Sequence, residues 1–401
     1  MREWISANIP AGPAGPAPWS APEAHGAAGD EETRPAAAAA SYARWERRLL
    51  AAGLVCPAWP RRYGGAALGP DEVLVLEEEC ARAGVPRIGR GTGELVVGPV
   101  LLAHGTEEQR SRLLPRILSG EDTYCQAYSE APHGSDLASV TTRGTVTGDE
   151  ITVTGRKSWV HGAHRATTAL VLCRTDPGAA RHRGLSCVAV RLDDGDTELR
   201  PVRTADGARD AHEIVFDGAR APLRDVIGGP GGGWSTVMTA VAHHRAGRAA
   251  AAHLGFQAEF WDLVSQARKS GRTRDPLVRD QLAWAYTRLA LLRWAAVDRP
   301  EHGAAFGATG PESAVPSLLR AEYHRRFGEI ALNITGAAGL VRPEAGESPE
   351  RTDRWQQLFL SSRGDTIAGG TAEILRDIIA ERVLGLPKEP RTGGSGTNGG
   401  S

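Results

Sequence analysis

Ile367-Ala-Gly-Gly-Thr-Ala-Glu-Ile-Leu-Arg-Asp-Ile-Ile-Ala-Glu-Arg-Val-Leu-Gly-Leu-Pro387 is the stretch on which the fold turns. Its paired glycines permit close backbone approach, and Thr371 is placed to cap a helix whose N-terminal amides favour a phosphate or a ring carbonyl. A capped helix with no ligand has the same sequence signature. On its N-terminal side lie the Ala- and Leu-rich runs Trp234–Lys269, Asp275–Asp298 and Pro316–Thr335. With Thr371–Leu384 they predict four antiparallel helices, a C-terminal bundle spanning 230–387. The Gly/Ser-rich residues 388–401 read as a disordered tail.

Before Gly228-Gly-Pro-Gly-Gly-Gly233 the hydrophobic period is two. Thr145–Val153, Thr168–Cys173, Ser186–Leu192 and His212–Phe216 are short runs separated by Gly, Asp and Pro, which predicts a small antiparallel β domain over 123–229. Two motifs fall in it. Gln126-Ala-Tyr-Ser-Glu-Ala-Pro-His-Gly-Ser-Asp136 reads as a strand entering a loop whose amides and hydroxyls could face a planar anionic cofactor, or equally as a surface turn. Thr154-Gly-Arg-Lys-Ser-Trp-Val-His-Gly-Ala163 places Trp159 near a strand end, either against a cofactor ring or in a core.

Helical spacing returns on the N-terminal side: Tyr42, Trp45, Leu49 and Leu50, then Val73, Leu74, Leu76 and Cys80, with a capping-box start at Thr106-Glu-Glu-Gln. This predicts a helical domain over 41–122, after a loose Ala/Pro/Gly leader over 1–40. The fold class expected is therefore mainly α with a central β-barrel or sandwich domain, a helical domain before it and a four-helix bundle after.

Composition narrows the function. Lysine and arginine total 47 against 48 acids, so no net field draws the 401-residue chain to nucleic acid or an anionic membrane. Five scattered cysteines without a CxxC pair indicate neither a disulfide framework nor a zinc site, and no metal is expected. No apolar signal core opens the chain and no run of eighteen apolar residues occurs, which fits a cytoplasmic protein.

Taken in order, the motifs resemble the acyl-CoA dehydrogenase family from about Trp45 to Pro387. Pro57-Ala-Trp-Pro, Tyr63-Gly-Gly, Gly105-Thr-Glu-Glu-Gln and Leu114-Pro-Arg-Ile-Leu-Ser-Gly-Glu121 look like its N-terminal domain. Ser129-Glu130, Gly134-Ser-Asp136, Gly155-Arg-Lys-Ser-Trp159, Arg174-Thr-Asp-Pro177, Gly231-Gly-Gly-Trp234 and Gly369-Gly-Thr-Ala-Glu-Ile-Leu-Arg376 complete the set. The ending is most similar to bacterial members.

The resemblance implies FAD and an acyl thioester, on coenzyme A or a carrier protein, oxidised to a 2-enoyl thioester. An electron-transfer flavoprotein or another acceptor is implied as partner, and a homo- or heterotetramer as the assembly. Gln126, Tyr128, Ser129, Gly134 and Ser135 match the flavin-facing strand and loop, with Ser135 also near the substrate's phosphate end. Trp159, Val160 and His161 match the second flavin segment; Asn333, Gly336 and Gly339 match a stretch holding the ADP portion, often across a subunit boundary. Thr371 and Glu373 match the last cofactor contacts, Arg279 a phosphate contact, and Arg245 a residue near the thioester pocket.

The chain departs from the family pattern at three places. His161 stands where Thr or Ser usually lies near flavin N5. Gly369 replaces the usual glutamate base, and His243-His244-Arg245 stands where a second branch carries Glu-Arg. Three readings follow: His244 is the base, since imidazole suits proton transfer near neutrality; the chain is the incomplete partner in a two-chain enzyme; or it is a flavin-dependent oxygenase.

Overall fold

A computed structural model describes residues 1–8, 36–297, 310–341 and 352–388. The N-terminal domain contains α1 (Arg2–Asn8), α2 (Ala36–Ala51), α3 (Pro70–Ala83), α4 (Gly98–His104) and α5 (Glu107–Ser119). The predicted capping box at Thr106 is formed: its hydroxyl accepts from the Gln109 amide at 3.2 Å while Gln109 Oε1 accepts from the Thr106 amide at 2.9 Å. The leader reading is corrected at both ends. α1 is docked, with Ile5 buried, Trp4 and Trp45 rings 6.0 Å apart and Arg2 paired to Glu79 at 3.0 Å. α2 already begins at Ala36. The rest of the predicted leader lies outside the described residues, as does the tail beyond Lys388.

The β domain is one eight-stranded sheet: β1 (Tyr124–Ala127), β2 (Arg143–Thr147), β3 (Glu150–His161), β4 (Thr168–Arg174), β5 (Leu185–Arg191), β6 (Thr197–Val202), β7 (Ala211–Pro222) and β8 (Val226–Ile227). It is mostly antiparallel, as expected, with β1 and β2 each pairing with β4 in parallel. The run Thr145–Val153 divides into β2 and β3 at Gly148-Asp149, where Gly148 adopts φ 58°.

α6 (Gly233–Lys269) starts against β5: a Cβ on Gly233 would stand 2.5 Å from Ser186 backbone, so only glycine permits this approach. With α7 (Pro276–Val297), α8 (Ala314–Thr335) and α9 (Thr352–Asp365) it forms the bundle around Phe260, Leu263, Phe327 and Trp355. The fourth bundle helix is thus α9, not Thr371–Leu384. That segment forms the short α10 (Ala372–Ile378) and a π-helical turn, packed on α8.

Candidate active site

A cavity of about 2560 Å³ opens between the three domains. A defect in sheet pairing builds one wall. β3 and β7 lose register between Lys157 and Val160, a bulge that re-aims side chains. Inside it Trp159 adopts φ 60°, a conformation costing a non-glycine residue about 1–2 kcal/mol, and its indole is 59% exposed in the cavity. The next residue, Val160, is wholly buried in the sheet core, so its side chain does not reach the cavity. His161 does, with Nδ1 3.4 Å from Asp210 Oδ2. Asp210 also binds Arg165 at 2.9 Å. The His161 hydrogen bond is the main reason its carboxyl lies below the ordinary range, with burial opposing and Arg165 assisting.

Gln126, Tyr128, Ser129, Gly134 and Ser135 line the adjoining wall. The Tyr128 hydroxyl is buried without a hydrogen-bond partner, and burial pushes its pKa well up. The loop is fastened from beneath. Glu130 accepts from the amides of Thr141 and Thr142, from the Thr141 hydroxyl and from Lys157 Nζ at 3.0 Å, while Lys157 also donates to the Tyr128 carbonyl at 2.8 Å. Burial alone would raise the Glu130 pKa, but Lys157 and the two amides outweigh it and hold it at about 2.

The opposite wall comes from α6 and the loop before α10. His243, His244 and Arg245 all face the cavity. Arg245 Nε donates to the Gly369 carbonyl at 2.8 Å, and burial lowers the pKa of both Arg245 and His243. Gly369 has φ 78°, and a Cβ there would stand 3.9 Å from His244 Nδ1. Thr371 reaches the cavity and caps α10, accepting from the Ile374 amide at 3.3 Å.

The structure does not bring every predicted residue to this cavity. Glu373 does not line it. Arg279, Asn333, Gly336 and Gly339 lie toward one end of the bundle, near the α7 start and α8 end, where Asn333 donates to Gln281 at 2.9 Å and Arg279 to the Arg274 carbonyl at 2.9 Å. Sequence reasoning missed Arg165 and Asp210, and the buried set Arg320, His324 and Asp365 behind His244. None of them sits in a recognisable motif; the approach of Asp210, just before β7, to His161 at the end of β3 was hidden because the register that pairs His161 with Ala211 depends on the bulge.

No helix among the described residues is long and apolar enough to cross a membrane. No group of three or more potential metal ligands occurs among them.

Domain profiles described as acyl-CoA dehydrogenase N-terminal, middle and C-terminal domain match residues 22–121, 125–219 and 231–384. The chain is 40% identical over 347 residues to acyl-CoA dehydrogenase IpdE1 of Mycobacterium tuberculosis, covering 86% of this chain and 88% of that protein. It is 39% identical to IpdE1 of Mycolicibacterium smegmatis with the same coverage. A solved structure described as a Tcur3481-Tcur3483 steroid ACAD superposes with TM-score 0.74 at 32% identity over 86% of this chain and 88% of that one. The chain belongs to the acyl-CoA dehydrogenase family, FAD-dependent oxidoreductases that act on CH–CH groups.

Proposed function

We propose that the chain dehydrogenates a bulky alicyclic acyl-CoA at its α and β carbons, with His244 as the base. The observation that carries this reading is the 3.9 Å between His244 Nδ1 and a Cβ on Gly369. An imidazole occupies the neighbourhood that a carboxylate at position 369 would enter. The size of the cavity and the likeness to a protein described as a steroid ACAD support a bulky acyl group.

The cavity wall suits the flavin on this chain's own terms: an exposed indole on strained backbone and a buried, unpartnered tyrosine hydroxyl. Gln126, Tyr128, Ser129, Gly134, Ser135, Trp159 and His161 would hold it, with Thr371 at the loop before α10. When bound, FAD supplies the acceptor for the β-hydride. The remaining work falls to the protein. Arg245, tied to the Gly369 carbonyl, shapes the pocket floor and places a cation beside the thioester end. His244 takes the α-proton in a partly buried site, where a positioned base contributes about 10²–10⁴-fold.

A second reading, that the chain is the catalytically incomplete partner of a two-chain enzyme, is supported by the absence of a glutamate at both Gly369 and His244. Arg279, Asn333, Gly336 and Gly339, which do not line this chain's own cavity, would serve the cofactor of a neighbouring subunit in a homomeric or a two-chain assembly alike. Trp261, Tyr286 and Trp294 are exposed on α6 and α7, an apolar surface suited to a bundle-to-bundle contact in a tetramer. A cytoplasmic location and re-oxidation by an electron-transfer flavoprotein or another acceptor complete the proposal. The test is to purify the chain alone, record its visible spectrum and titrate it anaerobically with saturated thioesters of increasing bulk. A yellow protein bleached best by alicyclic acyl-CoA supports the reading. Flavin that is bound but reduced only after a second chain is added would move the assignment to the two-chain form.

A further inference from the structure

The wall that the N-terminal domain gives the large cavity carries charge. Glu46 of α2, Glu77 of α3 and Arg87, Arg90, Thr92 and Glu94 of the segment before α4 all line it. The charges pair among themselves: Arg87 Nε stands 3.1 Å from Glu77 Oε1 and Arg87 Nη2 2.6 Å from Glu94 Oε1, while Arg90 Nη2 stands 2.6 Å from Glu46 Oε1. Backbone carbonyls fix both arginines, Arg87 Nη1 donating to Val55 at 3.0 Å and Arg90 Nε to Leu118 at 2.8 Å. Three carboxyls thus face two guanidiniums, and two polar groups are left over. Glu77 Oε2 is buried without a hydrogen-bond partner, a costly state for such a group. Thr92 precedes a π-helical turn, Gly93–Val97, of the kind that recurs at functional sites, yet its hydroxyl makes no capping bond to that turn.

Helix α6 supplies a scale for where this wall lies. His104 of α4 has Nε2 2.8 Å from Thr239 Oγ1, and Glu78 of α3, next to Glu77, has Oε1 3.9 Å from His253 Nε2. His244 lies between these two contacts, with His253 roughly 13 Å beyond it along the helix. The wall therefore stands beyond the reacting carbons, at the reach of a ring system and past that of a short chain. A hydrocarbon ring pressed against it would strip water from the ion pairs and return no hydrogen bond. Resting on the reading of the substrate as an alicyclic acyl-CoA, we propose that this wall is a distal subsite for a hydroxyl group carried on the ring system, held by Thr92 and the Glu77 carboxyl. The substrate hydroxyl accepts from Thr92 and donates toward the carboxyl that lacks a donor. A ring ketone can take the first bond but has no proton for the second. The substrate class narrows to hydroxylated alicyclic thioesters.

The test uses holoenzyme and the 2-enoyl-CoA products of one alicyclic skeleton, unsubstituted, hydroxylated or keto-substituted on the ring distal to the thioester; these bind without being dehydrogenated again. Titration calorimetry gives Kd for each in wild type, Thr92→Val and Thr92→Ser, with thermal melts confirming that the variants are folded. Wild type is expected to bind the hydroxylated compound about tenfold or more tightly than the unsubstituted one, with the ketone between them. Thr92→Val, equal in size, loses most of that preference, and Thr92→Ser, which keeps the hydroxyl, retains it. Wild type that binds all three alike or favours the ketone, or Thr92→Val that keeps the full preference, overturns the subsite and leaves the alicyclic reading standing. Wild type that binds none of the three removes the acyl-thioester reading itself, and the subsite with it.

Discussion

Gly369 and His244 share one small volume: the Cβ that glycine lacks would begin 3.9 Å from the imidazole Nδ1. Position 369 and the first bundle helix are thus two routes to the same point in the pocket. A carboxylate returned at 369 should do the work of the imidazole. Gly369 has φ 78°, so Gly369→Glu costs about 1–2 kcal/mol of stability. In a His244→Ala background it should nevertheless restore flavin reduction by thioester about tenfold or more, measured in a stopped-flow mixer.

Glu130 and Lys157 fasten the loop that faces the cofactor, and both are buried. Either Glu130→Gln or Lys157→Met leaves an uncompensated charge or donor, costing about 3–5 kcal/mol in chemical denaturation. The pH dependence has a definite sign. The folded carboxyl lies at about 2 against 4.5 unfolded, so its contribution is complete above pH 4.5 and is lost as pH falls toward 2. Acid unfolding monitored by far-UV circular dichroism should therefore show a steeper loss across that window in wild type than in Glu130→Gln.

The helices α6, α7 and α8 were legible because their apolar residues recur at helical spacing, and the Thr106 cap because its chemistry is local. The helix α9 was not. Its buried face is Trp355, Leu358, Ser362 and Asp365, half of it polar, so a hydrophobic count finds no stripe. Asp365 is buried for a tertiary reason, its pairing with Arg320 and His324 on a neighbouring helix. β6 failed similarly: as an edge strand it buries none of its residues fully and exposes Glu198, Arg200 and Pro201. At the site, the resemblance named residues that line the cavity, among them Gln126, Ser129, Trp159, His161 and Thr371, but also Val160 and Glu373, which do not, because the bulge that turns Trp159 outward while Val160 goes into the core left no mark in the sequence.

His324 supplies a second pH signature. Burial alone would lower its pKa, but Asp365 and Glu259 outweigh it and push it up to about 9. Its contribution to stability is complete below pH 6.5 and disappears as pH rises through about 9. Melting temperature against pH should fall across that interval in wild type, and the fall should be absent in His324→Gln.

Trp159 holds a left-handed backbone for the sake of where its indole points. Trp159→Gly relieves the strain and removes a largely exposed side chain, so the melting temperature of the apoprotein should be unchanged or higher. Flavin affinity should fall, because aromatic contact of this kind contributes about 0.5–1.5 kcal/mol, or roughly two- to thirteenfold in Kd. Quenching of flavin fluorescence on titration with apoprotein measures both variants directly.

The most direct test of the central claim is the anaerobic rate of flavin reduction by an alicyclic acyl-CoA in wild type and in His244→Ala, each with FAD content verified by its spectrum. Both proteins are expected to be yellow and to bind thioester, with His244→Ala reduced about 10²–10⁴-fold more slowly. Equal rates in the two proteins would contradict it.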